Sequence, residues 1–592
     1  MNNQRKLFLC LLLAMGIGVS FSCKKVIDKG DDGSTPTTDG YFGDYTFSTS
    51  QYDSLYMYAK AFYLWNSDLP TFEKFNPTSY KNADSLIGLQ SELYSLTQIP
   101  VNTETSEPYE YDSDYEGQSK YSYMLLTADN TGGGNSSFVI KPNTKSFTLD
   151  GYGNDLGIHF GFTYPYAVDS KGDYVLDSDG DRTYNQDTII TLLKYVDNGS
   201  PAQKAGLKRG DIVYKMNGEA KGYNDFSSST ALNKYYNDIL DGSSLDIVTV
   251  DSLYPKSGKW TTTDNKLTKV QYSFDPVILD SVITLPNGTK VGYLVLEGFT
   301  QLSSAKSSLD AALKKFAGVS DLVVDLRYNG GGAVETSKYL ANAFVASGND
   351  GKTLFSMNYN DSLKDASTYS AFLKSVLKSQ TLYDDDGKAD GTAADIDYSV
   401  SGNTEKVAKT GSIATTNNKI YFIVGGGTAS ASELLINALK PYNNVVLVGA
   451  WYAETPEVVN GSYEIRTYGK PVGFFDLRLG DYTIYMSMFQ SLNADNEGDY
   501  YTGFLTDALG YDDVLTDFAK SEDPLESFNR ILQSLDNTYK VPGSSSRATL
   551  SKNLMTRRIE GRAALRSSLS SFEKTQNERN FKPMVRKTFK LK

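Results

Sequence analysis

The sequence predicts a multidomain α/β protein with a small helical N-terminal unit, a β-rich domain and a larger α/β core. The chain has 592 residues, which is too long for one hydrophobic core. A compact β-rich segment spans 151–255, and a buried strand, glycine-rich turn and helix occur in succession at 322–345 and again at 419–440. Such alternation is typical of a layered α/β domain, whose site lies at the carboxyl ends of the strands.

Changes in composition divide the chain into six expected parts. These are a signal at 1–22, a linker at 23–45, a helical unit with its connection at 46–150, the β-rich domain at 151–255, the core at 265–535 and a basic tail at 536–592. Residues 350–415 have the composition of a polar insertion in the core. The Ser-rich, basic tail is expected to be solvated, partly helical or disordered, and we assign it no function.

The amino terminus carries an export signal. Basic residues precede an apolar run from Leu7 to Val19, which is too short to span a membrane. The small residue before Cys23 is typical of a bacterial lipobox, in which the cysteine is lipidated; ordinary cleavage with a free thiol is the alternative. We therefore expect a lipid anchor to the membrane at the cell envelope, on the periplasmic or surface-exposed face of an outer membrane.

Composition excludes several kinds of site. The formal net charge of −13 argues against nucleic acid as a partner. Cys10 lies in the signal, so the mature chain would have no cysteine besides Cys23, and His159 is the single histidine. Asp177–Asp181 resembles a calcium loop only superficially, because its glycine is misplaced and no glutamate closes the loop, so we expect a solvated hairpin turn. We expect no metal and no cofactor, and a hydrolase with this composition would need a base other than histidine.

The N-terminal unit shows helical spacing of apolar residues. From Asp53 they line one face as far as Trp65, and a second helix is expected from about Ala83 to Leu96. Residues 103–120 are acidic and rich in tyrosine, so we expect a loop there.

The β-rich segment contains two recognisable stretches. Residues 153–162 alternate like a strand behind a glycine-rich loop. Residues 199–213, Gly-Ser-Pro-Ala-Gln-Lys-Ala-Gly-Leu-Lys-Arg-Gly-Asp-Ile-Val, resemble the PDZ domain signature. PDZ domains bind an extended chain, often its C-terminus, by adding it as a strand. The residues that this resemblance places at the binding groove are Gly157, Ile158, His159 and Phe160. On that strand, His159 is expected to line the groove or pack, not to act as a catalytic base.

The stretch 419–440 has the pattern of a nucleophile turn. An apolar strand, Ile420–Val424, leads into three glycines, and apolar residues at helical spacing follow as far as Leu439. A serine on such a turn sits where backbone N–H groups and the helix dipole can stabilise an oxyanion. From this stretch alone, a glycine-rich loop with a capping serine remains equally open.

Three motifs together resemble the S41 family of C-terminal processing peptidases. They are Asp-Leu-Arg-Tyr-Asn-Gly-Gly-Gly at 325–332, Thr-Ala-Ser-Ala-Ser-Glu at 428–433 and Thr-Tyr-Gly-Lys-Pro-Val-Gly at 467–473, with the PDZ-like stretch ahead of them. The resemblance implies a ClpP/crotonase-like core and a serine endopeptidase that cleaves proteins or peptides with a Ser/Lys dyad.

Matching positions assign the expected roles. The resemblance makes Ser430 the nucleophile and Lys470 the base, and the N–H groups of Ala431 and Gly331 the oxyanion donors. A lysine can act as a base only where desolvation lowers its pKa towards neutrality. Ser432 is expected to cap the helix. Glu433 is expected to orient local structure, and the simpler alternative is that it only caps the first helical turn.

The chain departs from the family pattern at two places. Residues 451–466 lengthen the spacing between nucleophile and base, and Phe474 stands where the family usually has a glutamine, a role that Gln490 could take in space. These departures favour an alternative, a catalytically inactive lipoprotein that binds peptides or other ligands. A third possibility, a glycan-linked accessory lipoprotein, rests only on the 43 tyrosines.

Overall fold

The computed structural model describes most of the chain from Ser50 onwards, and residues 46–592 form one compact unit. The described residues are 50–112, 117–126, 148–176, 183–185, 187–250, 261–383, 388–411, 413–452, 457–459, 462–542, 584–586 and 588–590. Cys23 and the Asp177–Asp181 stretch lie outside them. Among the described helices, none has the length and apolar character needed to span a bilayer.

Two main helices and one strand form the N-terminal unit. Its elements are α1 (Gln51–Phe62), α2 (Phe72–Phe75), α3 (Ser85–Thr97) and β1 (Tyr123–Leu126). Leu55 and Leu89 carry the apolar faces of α1 and α3 and are fully buried. The side chain of Asp84 caps α3 by accepting from the N–H groups of Leu86 and Ile87. Both helices predicted from apolar spacing are therefore present.

The β-rich unit (residues 148–273) is a five-stranded antiparallel sheet with one long helix. Its elements are β2 (Tyr152–Asp155), β3 (Ile158–Thr163), β4 (Ile190–Val196), α4 (Pro201–Lys204), β5 (Ile212–Met216), α5 (Ser229–Asp241), β6 (Ser244–Val250), β7 (Thr262–Thr268) and β8 (Val270–Ser273). Strands β3 to β7 are neighbours in chain order, and β2 pairs with β8. The sheet therefore continues past residue 255, the boundary expected from composition.

The core begins with strands and helices in alternation. Its first elements are β9 (Val277–Thr284), β10 (Lys290–Leu296), α6 (Leu302–Lys315), β11 (Asp321–Asp325), β12 (Gly332–Ala333), α7 (Val334–Phe344), β13 (Thr353–Tyr359), α8 (Asp361–Lys364), α9 (Ala371–Ser379), β14 (Thr381–Tyr383), β15 (Ala389–Thr392) and β16 (Thr404–Lys406). The remaining elements are β17 (Lys419–Val424), α10 (Ala431–Leu439), β18 (Asn444–Trp451), β19 (Glu457–Val459), β20 (Ser462–Glu464), β21 (Val472–Gly473), β22 (Leu477–Leu479), β23 (Tyr482–Tyr485), β24 (Phe489–Asn493), β25 (Ala508–Tyr511), α11 (Ser527–Leu535) and β26 (Met584–Val585).

The central sheet has six strands in the order β25-β18-β17-β11-β10-β9, all parallel except β9. Tyr293 and Val323 pack with Phe528 of α11 in one apolar cluster. Neighbouring residues such as Leu294 and Val324 point to the opposite face and are also fully buried. Both faces of the sheet are therefore covered, as the near-continuous apolar runs of its strands predict.

Two segments differ from expectation. The stretch 350–415 is more than a polar insertion, because β13 lies inside a four-stranded sheet of order β16-β13-β24-β21 and Leu354, Leu363 and Val376 are fully buried. In the C-terminal tail, Met584–Arg586 is buried, and β26 pairs with β12. For these residues the expectation of a solvated tail is wrong, because their apolar side chains are buried in the core and their backbone pairs with β12.

Candidate active site

Ser430 lies in a strained turn between β17 and α10. Its backbone has φ 63° and ψ −112°, in a region that residues with a Cβ rarely adopt. The helix begins at the next residue, Ala431, and the Ser430 side chain is completely buried. Within the described part of the chain, the Ser430 Oγ makes no hydrogen bond. The turn therefore holds an uncommitted hydroxyl at the start of a helix, as the sequence predicted.

A second turn, which follows β11, is joined to the nucleophile turn by hydrogen bonds. The carbonyl oxygen of Asn329 accepts from the Ala429 N–H at 3.2 Å and from Ser432 Oγ at 3.0 Å. The hydroxyl of Thr428 donates to the Leu326 carbonyl at 2.7 Å. Because β11 and β17 are adjacent and parallel, their carboxyl ends meet here. Ser432 thus ties the two turns together and does not serve as a helix cap.

The oxyanion donors expected from sequence behave differently from each other. Ala431 is the first residue of α10, and the N–H groups of a first helical turn have no acceptor within the helix. The Gly331 N–H, in contrast, donates to Asn329 Oδ1 at 2.9 Å. In this arrangement Gly331 does not offer its N–H to the site, because the Asn329 side chain already accepts it.

The carboxylate of Glu433 is the structural centre of the site. Its Oε2 accepts from the Ser430 N–H at 2.9 Å and from the Lys470 N–H at 2.8 Å. Its Oε1 accepts from Thr467 Oγ1 at 2.6 Å and from the Gly469 N–H at 2.8 Å. Burial raises the pKa of Glu433, and these four donors oppose that shift. Glu433 therefore holds the Ser430 turn and the Lys470 segment together, which is the orienting role expected from its position.

Lys470 lies at the same site, with only 2% of its surface exposed. Its Nζ donates to the Tyr121 carbonyl oxygen at 3.4 Å and lies 4.6 Å from the ring centroid of Phe474. A dyad hydrogen bond to Ser430 Oγ is not made in this structure. Gln490 is directed elsewhere, since its amide donates to Gly498 O at 3.1 Å and to an oxygen of the neighbouring aspartate.

A buried carboxylate, influenced by the charge of Lys470, was not identified from the sequence. Glu110 is completely buried and accepts from the Ser122 N–H and Oγ, both at 2.7 Å, and from Ser487 Oγ at 2.9 Å. Burial raises the pKa of Glu110, and the two serines and the charge of Lys470 act in the opposite direction. The acidic stretch 103–120 was expected to be a loop, and no local pattern marks one of its acids as buried.

The β-rich unit is linked to the core by buried charges. Arg209, within the PDZ-like stretch, donates to Asp512 at 2.5 Å and to the Tyr328 hydroxyl at 2.7 Å. Arg327 also donates to Asp512, at 2.7 Å. Although burial acts against it, Arg209 and Arg327 hold the pKa of Asp512 below its usual range. Tyr328 directly precedes the Asn329 turn, so this network reaches the edge of the site.

The residues expected at a binding groove divide between two environments. The side chains of Ile158 and Phe160 belong to the hydrophobic core of the β-rich unit. Gly157 has φ 70°, and a Cβ there would lie 2.1 Å from the Cβ of Ser200. His159 stacks on Tyr195 with 3.8 Å between ring centroids, so packing, one of its two expected roles, is what this contact shows. A ligand at the edge of β3 would therefore contact the backbone of this strand, because the side chains of Ile158 and Phe160 are buried in the core of the β-rich unit.

The open edge of β3 is partly covered by the core. Because β3 pairs only with β4 in the sheet, its other edge is available for a further strand. At Phe162, however, the N–H donates to the hydroxyl of Tyr452 at 2.6 Å, and that hydroxyl donates to the Phe162 carbonyl. Tyr452 follows the last residue of β18, at the start of the stretch that lengthens the spacing between Ser430 and Lys470.

One group could hold a metal ion among the described residues. The ligand atoms of His159, Asp197 and Glu297 all lie within 4.8 Å of one another. His159 Nε2 is already 2.7 Å from Asp197 Oδ1, and Tyr272 bonds the other oxygen of Asp197 at 3.0 Å. These contacts account for two members of the group without an ion.

Comparison with known proteins connects this geometry to a family. Residues 290–470, which include both turns, Glu433 and Lys470, match peptidase family S41. The chain contains a peptidase family S41 domain. This domain covers β10 to the base segment, while the β-rich unit and the N-terminal unit lie outside the matched residues.

Individual relatives of the S41 domain are distant. The "Probable CtpA-like serine protease" of Staphylococcus aureus is 24% identical over 375 residues, which cover 61% of this chain and 58% of that protein. The chloroplastic C-terminal processing peptidase of Tetradesmus obliquus is 26% identical over 260 residues, covering 42% of this chain and 45% of that protein. The chain thus spans less than two thirds of the length of either. A candidate S41 protease of Bacteroides fragilis superposes with a TM-score of 0.49 at 19% identity, covering 84% of this chain and 100% of that structure.

Proposed function

We propose that the protein is a serine endopeptidase that acts on proteins or peptides through Ser430 and Lys470. The observation that carries the proposal is the shared carboxylate: Glu433 Oε2 binds the backbone N–H groups of both residues, at 2.9 and 2.8 Å. Two groups bonded to one oxygen lie close together, although the two residues belong to separate motifs. The match of residues 290–470 to peptidase family S41 supports the same assignment.

The chemistry follows from the positions of the groups. The Ser430 oxygen would attack the carbonyl carbon of the scissile bond while the Lys470 amine takes the hydroxyl proton. The amine of the departing chain segment would receive that proton as the C–N bond breaks, and water would then hydrolyse the acyl-enzyme. The Ala431 N–H, at the positive end of α10, would stabilise the negative oxygen of the tetrahedral intermediate. No metal or cofactor takes part in these steps.

The dyad must tighten before it can react. Lys470 Nζ donates to the Tyr121 carbonyl at 3.4 Å, a long hydrogen bond that costs little to exchange for one to Ser430 Oγ. Catalytic hydrogen bonds are often long without substrate and shorten in the complex. We expect substrate binding to move the Lys470 nitrogen from Tyr121 to the nucleophile, where the neutral amine accepts the hydroxyl proton.

In this proposal, the β-rich unit binds the substrate. An extended chain would add to the open edge of β3, where Gly157, Ile158, His159 and Phe160 would offer backbone groups, as PDZ domains do. A segment near a substrate's C-terminus suits such an edge, because it is unpaired and can extend. We place the protein at the cell envelope, anchored by lipid at Cys23.

A cleavage assay tests the proposal. Residues 46–592 are incubated with an unfolded protein, beside Ser430→Ala and Lys470→Met, and fragments are measured by mass spectrometry. We expect both variants to lose at least 99% of the wild-type rate, since a triad or dyad member supplies orders of magnitude in rate. The matched controls Ser307→Ala and Lys440→Ala change exposed residues of the core and should cleave normally. Equal cleavage by all five proteins, or by none, would remove the dyad hypothesis.

The second candidate function is a binding lipoprotein without peptidase activity. It is favoured by the burial of Ser430 and by Phe474, whose ring lies 4.6 Å from the Lys470 ammonium where the family usually has a glutamine. Such a protein would bind C-terminal peptides with unchanged affinity in the Ser430→Ala variant and would release no fragments. Peptide binding together with cleavage would exclude it.

A further inference from the structure

Residues 584–586 lie between the two segments that form the site. Strand β26 runs parallel to β12, with Gly332 opposite Met584 and Ala333 opposite Val585. On its other edge, the Phe474 N–H donates to the Met584 carbonyl at 3.0 Å, and the Arg586 N–H donates to the Phe474 carbonyl at 3.1 Å. One edge of β26 therefore contacts the strand after the Asn329 turn, and the other contacts the segment after Lys470.

These contacts are built into the core. Met584 and Val585 have at most 1% of their surface exposed, and Arg586 has 4%. A Cβ at Gly473 would lie 2.3 Å from the ring of Phe489 and 2.8 Å from the Met584 carbonyl oxygen. The glycine therefore leaves room for both the Phe489 ring and the backbone of β26.

Arg586 fixes the segment at its centre. Its guanidinium donates to the Asn403 side chain and to the Tyr359 hydroxyl at 3.3 Å, and its Nε donates to the Thr588 carbonyl at 2.8 Å. A buried guanidinium is tolerated only where acceptors meet its donors, and this site supplies several. The acceptors come from β13 and from the loop before β16, so Arg586 ties the segment to the layer behind the site.

The segment also reaches the helix that follows the Asn329 turn. The N–H and Oγ1 of Thr588 donate to Glu335 Oε1 at 3.1 and 2.6 Å, and Glu335 is in the first turn of α7. The ring of Phe589 packs edge-on against Phe475 with 5.4 Å between centroids. Thr588 and Phe589 thus contact α7 and the segment after Lys470, one on each side of the site.

We propose that residues 584–586 and 588–590 are a positioning element of the catalytic centre, which sets the spacing between the Asn329 turn and the Lys470 segment. The inference rests on the proposed peptidase function. Hydrogen bonds on both edges of β26 mean that neither segment can shift without breaking a backbone bond to the same strand. Catalytic competence would therefore require Met584–Arg586 to be docked between these two segments.

Peptide complementation tests this role. A chain ending at residue 583 is compared with the full chain, with and without a synthetic peptide of residues 584–592. We expect truncation to lower kcat at least tenfold with KM changed less than threefold, because the dyad geometry is disturbed and the β3 edge is not. The added peptide should restore most of kcat, whereas a peptide carrying Arg586→Ala should not. A truncated, folded chain with unchanged or higher kcat would overturn the proposal; higher kcat would show that the segment occupies the substrate's place.

A second variant covers the case in which the truncated chain does not fold. Arg586→Ala in the full chain is measured below its melting temperature, with Lys590→Ala, an exposed lysine of the same segment, as the control. We expect a fall in kcat for the first variant alone, and equal kcat for both would overturn the role. If the wild-type chain cleaves nothing, the proposed function fails. Hydrogen exchange then tests whether the segment holds the residues after Lys470. Faster exchange of the Phe474 amide in Arg586→Ala than in Lys590→Ala supports the positioning role, and equal exchange excludes it.

Discussion

The backbone N–H groups of Ser430 and Lys470 donate to the same oxygen, Oε2 of Glu433, at 2.9 and 2.8 Å. Thirty-nine intervening residues, which include α10, β18 and the hairpin of β19 and β20, separate the two in sequence. The two segments could not bond to each other here, because both present N–H donors. The buried carboxylate of Glu433 supplies the acceptor that joins them. Its second oxygen binds the segment again, through Thr467 and Gly469.

Replacing Glu433 by glutamine tests this arrangement. The amide keeps the size of the side chain but presents N–H groups to backbone donors, so at least one buried donor loses its acceptor. Leaving a buried donor unsatisfied costs about 1–3 kcal/mol of unfolding free energy. We expect that loss in urea unfolding and, because both site segments are released, a fall in kcat. The control Glu219→Gln changes an exposed carboxylate of the β-rich unit and should alter neither quantity.

Local patterns made the nucleophile turn predictable. The apolar run of β17, the glycines after it and the apolar spacing of α10 are neighbours in sequence, so their periodicity alone predicts strand, turn and helix. The same holds for α1 and α3. Glu433 could be given an orienting role because its position, three residues after Ser430, is that of a capping carboxylate.

Long-range contacts made the rest unpredictable. Glu110 is buried, bonded to Ser487 and influenced by the charge of Lys470, yet it lies in a stretch whose acidic composition is typical of a solvated loop. Strand β26 has two residues, too few to show any alternation. The Gly331 N–H donates to the side chain of Asn329. This bond depends on the rotamer of Asn329, which a sequence pattern cannot predict. For Glu110 and β26 the deciding contacts join residues that are far apart in the chain, whereas the Asn329–Gly331 bond is local and depends on the side-chain conformation of Asn329.

Arg209 should hold the β-rich unit on the core. Arg209→Met removes a buried partner of Asp512 and leaves the Tyr328 hydroxyl without its donor. Breaking a buried pair by removing one partner typically costs about 3–5 kcal/mol. Because Arg327 still pairs with Asp512, we expect a loss nearer to about 3 kcal/mol in urea unfolding. Arg478→Met, which removes a partly exposed arginine 3.7 Å from Asp476, is the control and should cost less than about 1 kcal/mol. Equal losses would contradict a role for buried charge between the units.

Tyr452 should compete with ligands for the edge of β3. Its hydroxyl binds both backbone groups of Phe162, and a peptide strand pairing along that edge must displace it. A hydrogen bond of this kind contributes about 0.5–1.5 kcal/mol, which corresponds to about 2- to 10-fold in affinity. We expect Tyr452→Phe to bind a fluorescent C-terminal peptide more tightly by that factor. Tyr174→Phe makes the same change at an exposed tyrosine of the β-rich unit and should leave affinity unchanged. Weaker binding by Tyr452→Phe would place the peptide elsewhere.

Glu92 should make stability depend on pH. This side chain on α3 is completely buried, and burial, with the nearby charge of Asp53, raises its pKa to about 10. The unfolded chain releases the proton above the ordinary glutamate pKa of about 4.3, whereas the folded chain retains it until near pH 10. Between these limits the folded state binds more protons, so the unfolding free energy falls as pH rises, by up to about 1.4 kcal/mol per pH unit.

Glu92→Gln separates this effect from other titrating groups, because glutamine is a neutral side chain close in shape to the protonated acid. We expect the variant to match the wild type near pH 4.5 and to be more stable at pH 8, with a shallower decline between them. Urea unfolding at four pH values measures the slope. Glu104→Gln, at an exposed position in the same N-terminal unit, should retain the wild-type slope. A Glu92→Gln slope equal to that of the wild type would mean that Glu92 is ionised in the folded protein, since only a retained proton makes the folded state lose stability as pH rises.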